Sequence, residues 1–240
     1  MKKLIVTVFL LVGFNSFAQQ NSIVPPPYQA HSSNFMMALF HLKAVDVAKL
    51  LPAGVSVKQD EKGMVTATFE MYETDRIYGL ENYKVAFIVV DIENYNSENG
   101  ATGHWAIWGN LNSKNASTNF NHHFGLPFEY EPNMTVQKND SIHFGSVGTV
   151  GKEKINISIK KKLDQPFKGQ GIVNMVGKTK NGISKSEVPW LSEGWTGELV
   201  LWNVNPQGNP VLELIQNEKP FWFLISADQG FSYSKPIITY

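Results

Sequence analysis

Residues 64–72, MVTATFEMY, alternate without a break: Val65, Ala67, Phe69 and Met71 fall on one face, and Thr66, Thr68, Glu70 and Tyr72 on the other. Successive side chains of a strand point to opposite faces, so this pattern predicts a β-strand with one face in a core. The following run, YKVAFIVVDI (83–92), is apolar on nearly both faces and predicts a central strand. GHWAIWGNL (103–111) is aromatic and β-like, and SIHFGSV with KINISIK predicts a hairpin around GTVGKE. In the latter strand Ile155, Ile157 and Ile159 face inward, while Lys154, Asn156, Ser158 and Lys160 face outward. Further strands are predicted at 171–177, 197–204, 210–216 and 221–225. A short helix is predicted in KAVDVAKLLP (43–52), where Val45, Ala48, Leu50 and Leu51 cluster and Pro52 stops it. The class is all-β, mainly antiparallel with a few short helices, arranged as a barrel or a closed sandwich.

The chain before these elements reads differently. Lys2 and Lys3 precede a mostly apolar run, Leu4 to Phe14, that is too short to span a bilayer, and Ser16-Phe17-Ala18 is a small-x-small cleavage site. Residues 1–18 are therefore expected to be a signal peptide, with export to the periplasm or medium and a mature chain from about Gln19. Residues 19–33, ending in VPPPYQAHSS, read as a Pro-rich arm or linker, and 34–240 as one domain with no repeat or composition break. At 42% apolar residues the chain can bury a substantial core. Removing Lys2 and Lys3 from 21 basic residues leaves 19 against 21 acidic ones, so no basic excess exists to condense on nucleic acid or an anionic membrane. With no cysteine, an exported fold has no disulfide, no thiol nucleophile and no cysteine-ligated metal.

Few residues announce chemistry. Four of the six histidines, His104, His122, His123 and His143, fall between 104 and 143, but none has the spacing that sets two imidazoles on one face of one element. No metal or cofactor is expected. No nucleophile elbow, P-loop or dinucleotide fingerprint is present. Lys160–Lys162 read as a solvated strand end, and the six tryptophans as core, with one or two lining a cavity. Arg76, the only arginine, sits among Glu73, Asp75 and Glu81; it reads as a surface ion pair or as a clamp for a ligand carboxylate. Glu70 reads either as a pocket acid or as a water-facing neighbour of Thr66, Thr68 and Tyr72. FGLPFE (124–129) is a stiff Gly-x-Pro turn, in which Gly125 can adopt backbone angles other residues avoid and Pro127 holds Leu126 extended.

In order along the chain, these segments resemble the acetoacetate decarboxylase family. DVAKLLPAGV is similar to that family's opening helix and proline, TFEMY with YKVAFIVV to its pair of strands, and GHWAIWGNLNSKNAS to its next strand and turn. FGLPFE stands where the family has a Gly-Tyr-Pro-Lys-Lys turn, and GWTGELVLWN resembles its Trp-Thr-Gly strand start. The resemblance implies a cone-shaped β-barrel with an internal pocket, and a lysine that forms a Schiff base with a substrate ketone so that carbon dioxide can leave. Such a lysine needs a depressed pKa from burial and a neighbouring ammonium.

Carried across, the two lysine places fall on Phe128 and Glu129, the second-strand acid on Val85 and the pocket arginine on His41. Only the first-strand acid, Glu70, is kept. The resemblance thus implies a pocket around His41, Glu70, Val85, Phe128 and Glu129, with Arg76 as a further ligand contact, and no lysine for the family reaction. Phe128 is expected to close the pocket that a lysine would have opened. The leading expectation is an exported protein that binds a small, largely apolar or keto/enol-type molecule without Schiff-base decarboxylation. An enzyme acting on a keto acid through Glu70, Glu129 or a histidine is the alternative, and a structural or interaction protein with a filled barrel is another. Neither nucleic acid nor, after signal cleavage, a membrane is an expected partner; homo-oligomerisation is left open.

Overall fold

The structure, a computed structural model, describes residues 23–98 and 100–239; the expected signal peptide lies outside them. The first elements are β1 (Tyr28–Ser32), β2 (Asn34–Lys43), α1 (Ala44–Val47), β3 (Met64–Glu73), β4 (Arg76–Tyr78), β5 (Lys84–Ile92) and β6 (Gly103–Leu111). Then come α2 (Lys114–Phe124), β7 (Phe128–Tyr130), β8 (Met134–Lys138) and β9 (Ile142–Val147). The chain ends with β10 (Ile155–Thr179), β11 (Gly182–Val204), α3 (Pro210–Ile215), β12 (Trp222–Tyr233) and β13 (Ile237–Thr239).

The strands close on themselves. Starting from β11, pairing runs through β10, β6, β5, β3, β2 and β12, and β12 pairs back onto β11. This ring of seven strands has no free edge between its members, which removes the open-edge liability of a flat sheet. Pairing is antiparallel except where β6 meets β10 and β7. The fold is thus mainly β, as the alternating segments require.

Alternation along β3 decides which residues go inside. Val65, Ala67, Phe69 and Met71 point outward into a first core. That core is covered by β8, β9 and the adjoining ends of β10 and β11, through Val136, Val147, Ile155, Ile157, Ile159 and Val204. At Gly145 of β9 an added Cβ would lie 3.3 Å from the Met36 sulfur, so glycine permits this close layer. Thr68, Glu70 and Tyr72 point to the interior of the ring. One end of that interior is plugged by a second core in which α2 lays Ala116, Phe120 and Phe124 against Tyr28, Tyr83 and Tyr233.

Several elements differ from the sequence reading. Residues 210–216, expected as a strand, form α3. Asn209 caps its N-terminus by accepting from Val211 and Leu212 N–H, and Pro210 occupies the first turn; Asn-Pro there outweighs the β-like apolar run. The segments 171–177 and 197–204 belong to two strands of 25 and 23 residues joined by Lys180-Asn181. Lys160–Lys162 do not end a strand; they sit inside β10, before a shift in its pairing to β11, with the Lys161 ammonium 4.9 Å from the Trp195 ring centre. The Pro-rich segment read as an arm carries β1, which inserts between β12 and β4. Helix α2 starts at Lys114, within the segment 103–117 that the resemblance implied to be strand and turn; its Asn, Ser, Thr and His residues are poor helix formers, and packing of its apolar face holds it.

Candidate functional site

The ring interior that α2 leaves unfilled is a cavity of about 250 Å³. Every strand of the ring contributes to its wall: Met37 from β2, Glu70 from β3, Phe87 from β5, His104 from β6, Met175 from β10. Trp190 of β11 and Trp222, Phe231 and Tyr233 of β12 complete an aromatic lining. Closure of the sheet is therefore what creates the site, and the β3 alternation is what aims Glu70 into it.

Glu70 pairs with Met37 on one side and Phe87 on the other, so its immediate neighbours on that face are apolar. Among the described residues it makes no hydrogen bond or ion pair, and its remaining surface faces the cavity. Burial without a compensating charge penalises the carboxylate and pushes its pKa up to about 7 from an ordinary 4.5. The phenol of Tyr72 lies beside those of Tyr83 and Tyr233; burial first, then these neighbours and Glu70, hold it well above its usual range. His104 reaches the cavity while its Nε2 lies 3.4 Å from an Asp91 carboxylate oxygen. Desolvation outweighs that contact, lowering His104 to about 4 and raising Asp91 to about 6, so the imidazole is neutral near pH 7.

A folded-state pKa above the unfolded value means the native chain holds a proton that the unfolded chain has lost. The stability contributed by protonated Glu70 is fully present below about pH 4.5 and is lost as pH rises through about 7. Glu70→Gln mimics the protonated acid and is expected to gain stability over the parent at alkaline pH, by up to ~3 kcal/mol. Urea midpoints of both proteins near pH 5 and pH 8 check this; equal differences at the two pH values would refute it. Asp91 contributes a slope of the same sign to both proteins and cancels in the comparison.

The structure redistributes the other residues assigned to the pocket. Phe128 is 2% exposed and lies between Phe87 and Phe120, with ring centres 5.6 Å from each. It stands one layer behind the cavity wall, so Phe87, not Phe128, closes the cavity there. Val85 shares the interior face but is packed in the plugged end. Glu129 is exposed and does not line the cavity, nor does exposed His122 come with it to an enclosed site. His41 lies four residues past Met37 on the same face, exposed and stacked on Phe221 at 4.4 Å. Arg76 is on β4, 3.7 Å from Asp75 through its Nε and 75% exposed at the side chain, a surface ion pair and no clamp. Phe128, Val85, Glu129 and His41 miss the open cavity for one reason: sequence order locates a segment, but register and the plug determine which positions border open space; Arg76 lies on β4, outside the ring.

His104 was missed as a cavity residue, although the alternation GHWAIWGNL placed it opposite Trp105. Trp190 and Trp222 supply the expected pair of lining tryptophans. The histidines at 122 and 123 lie on α2, not on a strand, and His143 is buried on β9. No three potential metal ligands converge among the described residues.

The FGLPFE turn is held by the helix before it. Ser113 caps α2 by accepting from Ala116 N–H at 3.0 Å, and Gly125 ends it at φ 66°, the left-handed conformation glycine favours. The Phe128 carbonyl then accepts from Ser117 Oγ at 2.6 Å and Asn121 Nδ2 at 2.8 Å. The turn is consequently rigid, but it delivers an aromatic ring to the plug.

No protein-family model matches the chain, and no curated protein matches it. Solved structures do. The acetoacetate decarboxylase of Legionella pneumophila superposes with a TM-score of 0.70 at 13% identity, covering 91% of this chain and 90% of that one. An acetoacetate decarboxylase-like enzyme from Sphingomonas wittichii gives 0.67 at 11% identity, over 95% and 98%. The enduracididine biosynthesis enzyme MppR in complex with pyruvate gives 0.63 at 14% identity, over 89% and 90%. Over almost its whole length, this chain has the acetoacetate decarboxylase fold.

Proposed function

We propose that this protein is exported and binds a small, largely apolar molecule inside its barrel, without Schiff-base decarboxylation. The observation that carries the reading is the lining itself: an aromatic cavity with one half-buried acid, Glu70, and no lysine. Lys84, at the start of the central strand β5, pairs with Glu73 and is not part of the lining. Imine formation needs an amine within bonding reach of the substrate carbonyl, and electron flow into that imine is what makes carbon dioxide leave. With Phe128 in the plug and Glu129 in solvent, neither lysine place offers such an amine. A barrel filled with its own side chains is disfavoured by the size of the cavity, since roughly 150 Å³ already suffices for benzene.

Borohydride reduction in the presence of acetoacetate or pyruvate is expected to leave the mass of the protein unchanged. A stoichiometric adduct on a lysine would overturn the reading. Expressed in a bacterium with its export machinery intact, the chain is expected in the periplasm with an N-terminus near Gln19; retention of Met1 to Ala18 on the whole population would contradict export.

An acid–base enzyme is supported by a single observation. Glu70, titrating near 7 beside phenols, is suited to proton transfer at neutral pH. If Glu70→Gln abolished turnover of an enolisable ketone measured by deuterium exchange, that reading would replace simple binding.

A further inference from the structure

Among the polar groups that face or border the cavity, several oxygens able to accept a hydrogen bond have no donor. The Glu70 carboxylate has no hydrogen-bond or charge partner among the described residues, and the buried side-chain oxygens of Ser192 and Gln229 have none either. No lysine or arginine lines the cavity, and His104 is the one lining imidazole. Around Glu70 the wall is built from Tyr72, Phe87, Trp190, Trp222, Phe231 and Tyr233. Aromatic faces attract a cation through their quadrupole, and more strongly once water is excluded. The geometry points to a small hydrophobic amine as the ligand, bound as its ammonium with Glu70 as counter-charge and the aromatic rings around its apolar body.

This rests on the reading of the barrel as a binding cavity and specifies its ligand class. An anionic molecule, such as a keto acid, would enter with no cation to meet it and would face the Glu70 charge. A neutral alcohol would satisfy Glu70 only as a hydrogen-bond partner and would forgo the attraction of the ring faces. An ammonium supplies both the missing charge and up to three donors. The volume suits on the order of ten non-hydrogen atoms, scaled from benzene in roughly 150 Å³.

Ionisation follows from the same arrangement. An ammonium stabilises the Glu70 carboxylate, so below about pH 7 amine binding must expel the Glu70 proton to solvent, and above it no proton moves. The titratable groups facing Glu70 are Tyr72 on its own strand and Tyr233 on β12; His104 on β6 also lines the cavity, backed by Asp91. The phenols stay protonated throughout this range and His104 stays neutral, which leaves Glu70 as the group that releases the proton; Asp91 is common to all ligands compared.

Calorimetric titration of the mature chain with 2-phenylethylamine, 2-phenylethanol and phenylacetate tests the ligand class. The amine is expected to bind at least tenfold tighter than the alcohol at pH 8, to weaken as pH falls to 6 with release of a proton, and phenylacetate not to bind. Glu70→Gln, expected to fold at least as well as the parent, should bring amine and alcohol to similar affinity. If the alcohol or phenylacetate bound as tightly as the amine, the ligand class would be wrong while the binding cavity stood. If none of the three bound the unaltered protein, both the ligand class and the cavity reading would fall.

Discussion

Phe120→Ala is expected to cost about 3–5 kcal/mol of folding stability, enough to leave a chain of ordinary stability marginal. Phe120 is 1% exposed and its ring meets five others, the nearest being Tyr233 at 5.0 Å and Phe128 at 5.6 Å. Truncation removes the ring's buried area, leaves a void that rigid neighbours cannot fill, and forfeits several edge-to-face contacts. Tyr233 also lines the cavity, so the same change should loosen the cavity wall as well as the plug. Urea denaturation followed by tryptophan fluorescence gives the number, with Phe120→Leu as a milder companion. A loss below about 1 kcal/mol for the alanine variant would mean that α2 does not seal the barrel as described.

The second large effect is expected at Gly125. Its φ of 66° costs a side-chain-bearing residue roughly 1–2 kcal/mol. In addition, a Cβ there would lie 2.6 Å from both the backbone nitrogen and oxygen of Lys178 on β10, which cannot move aside as a side-chain tip can. At the facing position, Gly177, an added Cβ would fall 2.7 Å from the Gly125 carbonyl oxygen. Helix α2 and β10 therefore touch backbone to backbone, and Gly125→Ala is expected to destabilise by roughly 2–5 kcal/mol in the same denaturation assay. Gly54, also at positive φ but with nothing within 4 Å of an added Cβ, provides the control. Gly54→Ala should cost only the backbone share, and equal losses at the two sites would show that the α2–β10 contact contributes nothing.

Much of this architecture was legible along the chain because it depends on periods of two. MVTATFEMY and YKVAFIVVDI carry their strands in alternation and apolar density, and β3 and β5 fall within a residue or two of those segments. Helix α2 was less visible, although Ala116, Phe120 and Phe124 recur every fourth residue behind a Ser113 cap; the poor helix formers between them obscured the period. Helix α3 was hidden by a run that suits a strand equally well, with Asn209-Pro210 as the one discriminating signal.

For the site, residue identity went as far as the one retained acid, Glu70, and the absence of lysine from both turn places. It showed that the two places implied for lysines carry no amine, since Phe128 and Glu129 have none in any fold. It also put Glu70 and Tyr72 on one face of β3, because alternation is a local property of the backbone. Whether that face met water or a cavity was a long-range matter. It depended on β12 pairing back onto β11 to close the ring, and on α2 filling one end and not the other. Those contacts join residues far apart in the chain through shape and packing, which no local pattern encodes. Hence Glu70 became a cavity acid, while Glu129, one residue from a buried ring, stayed in solvent.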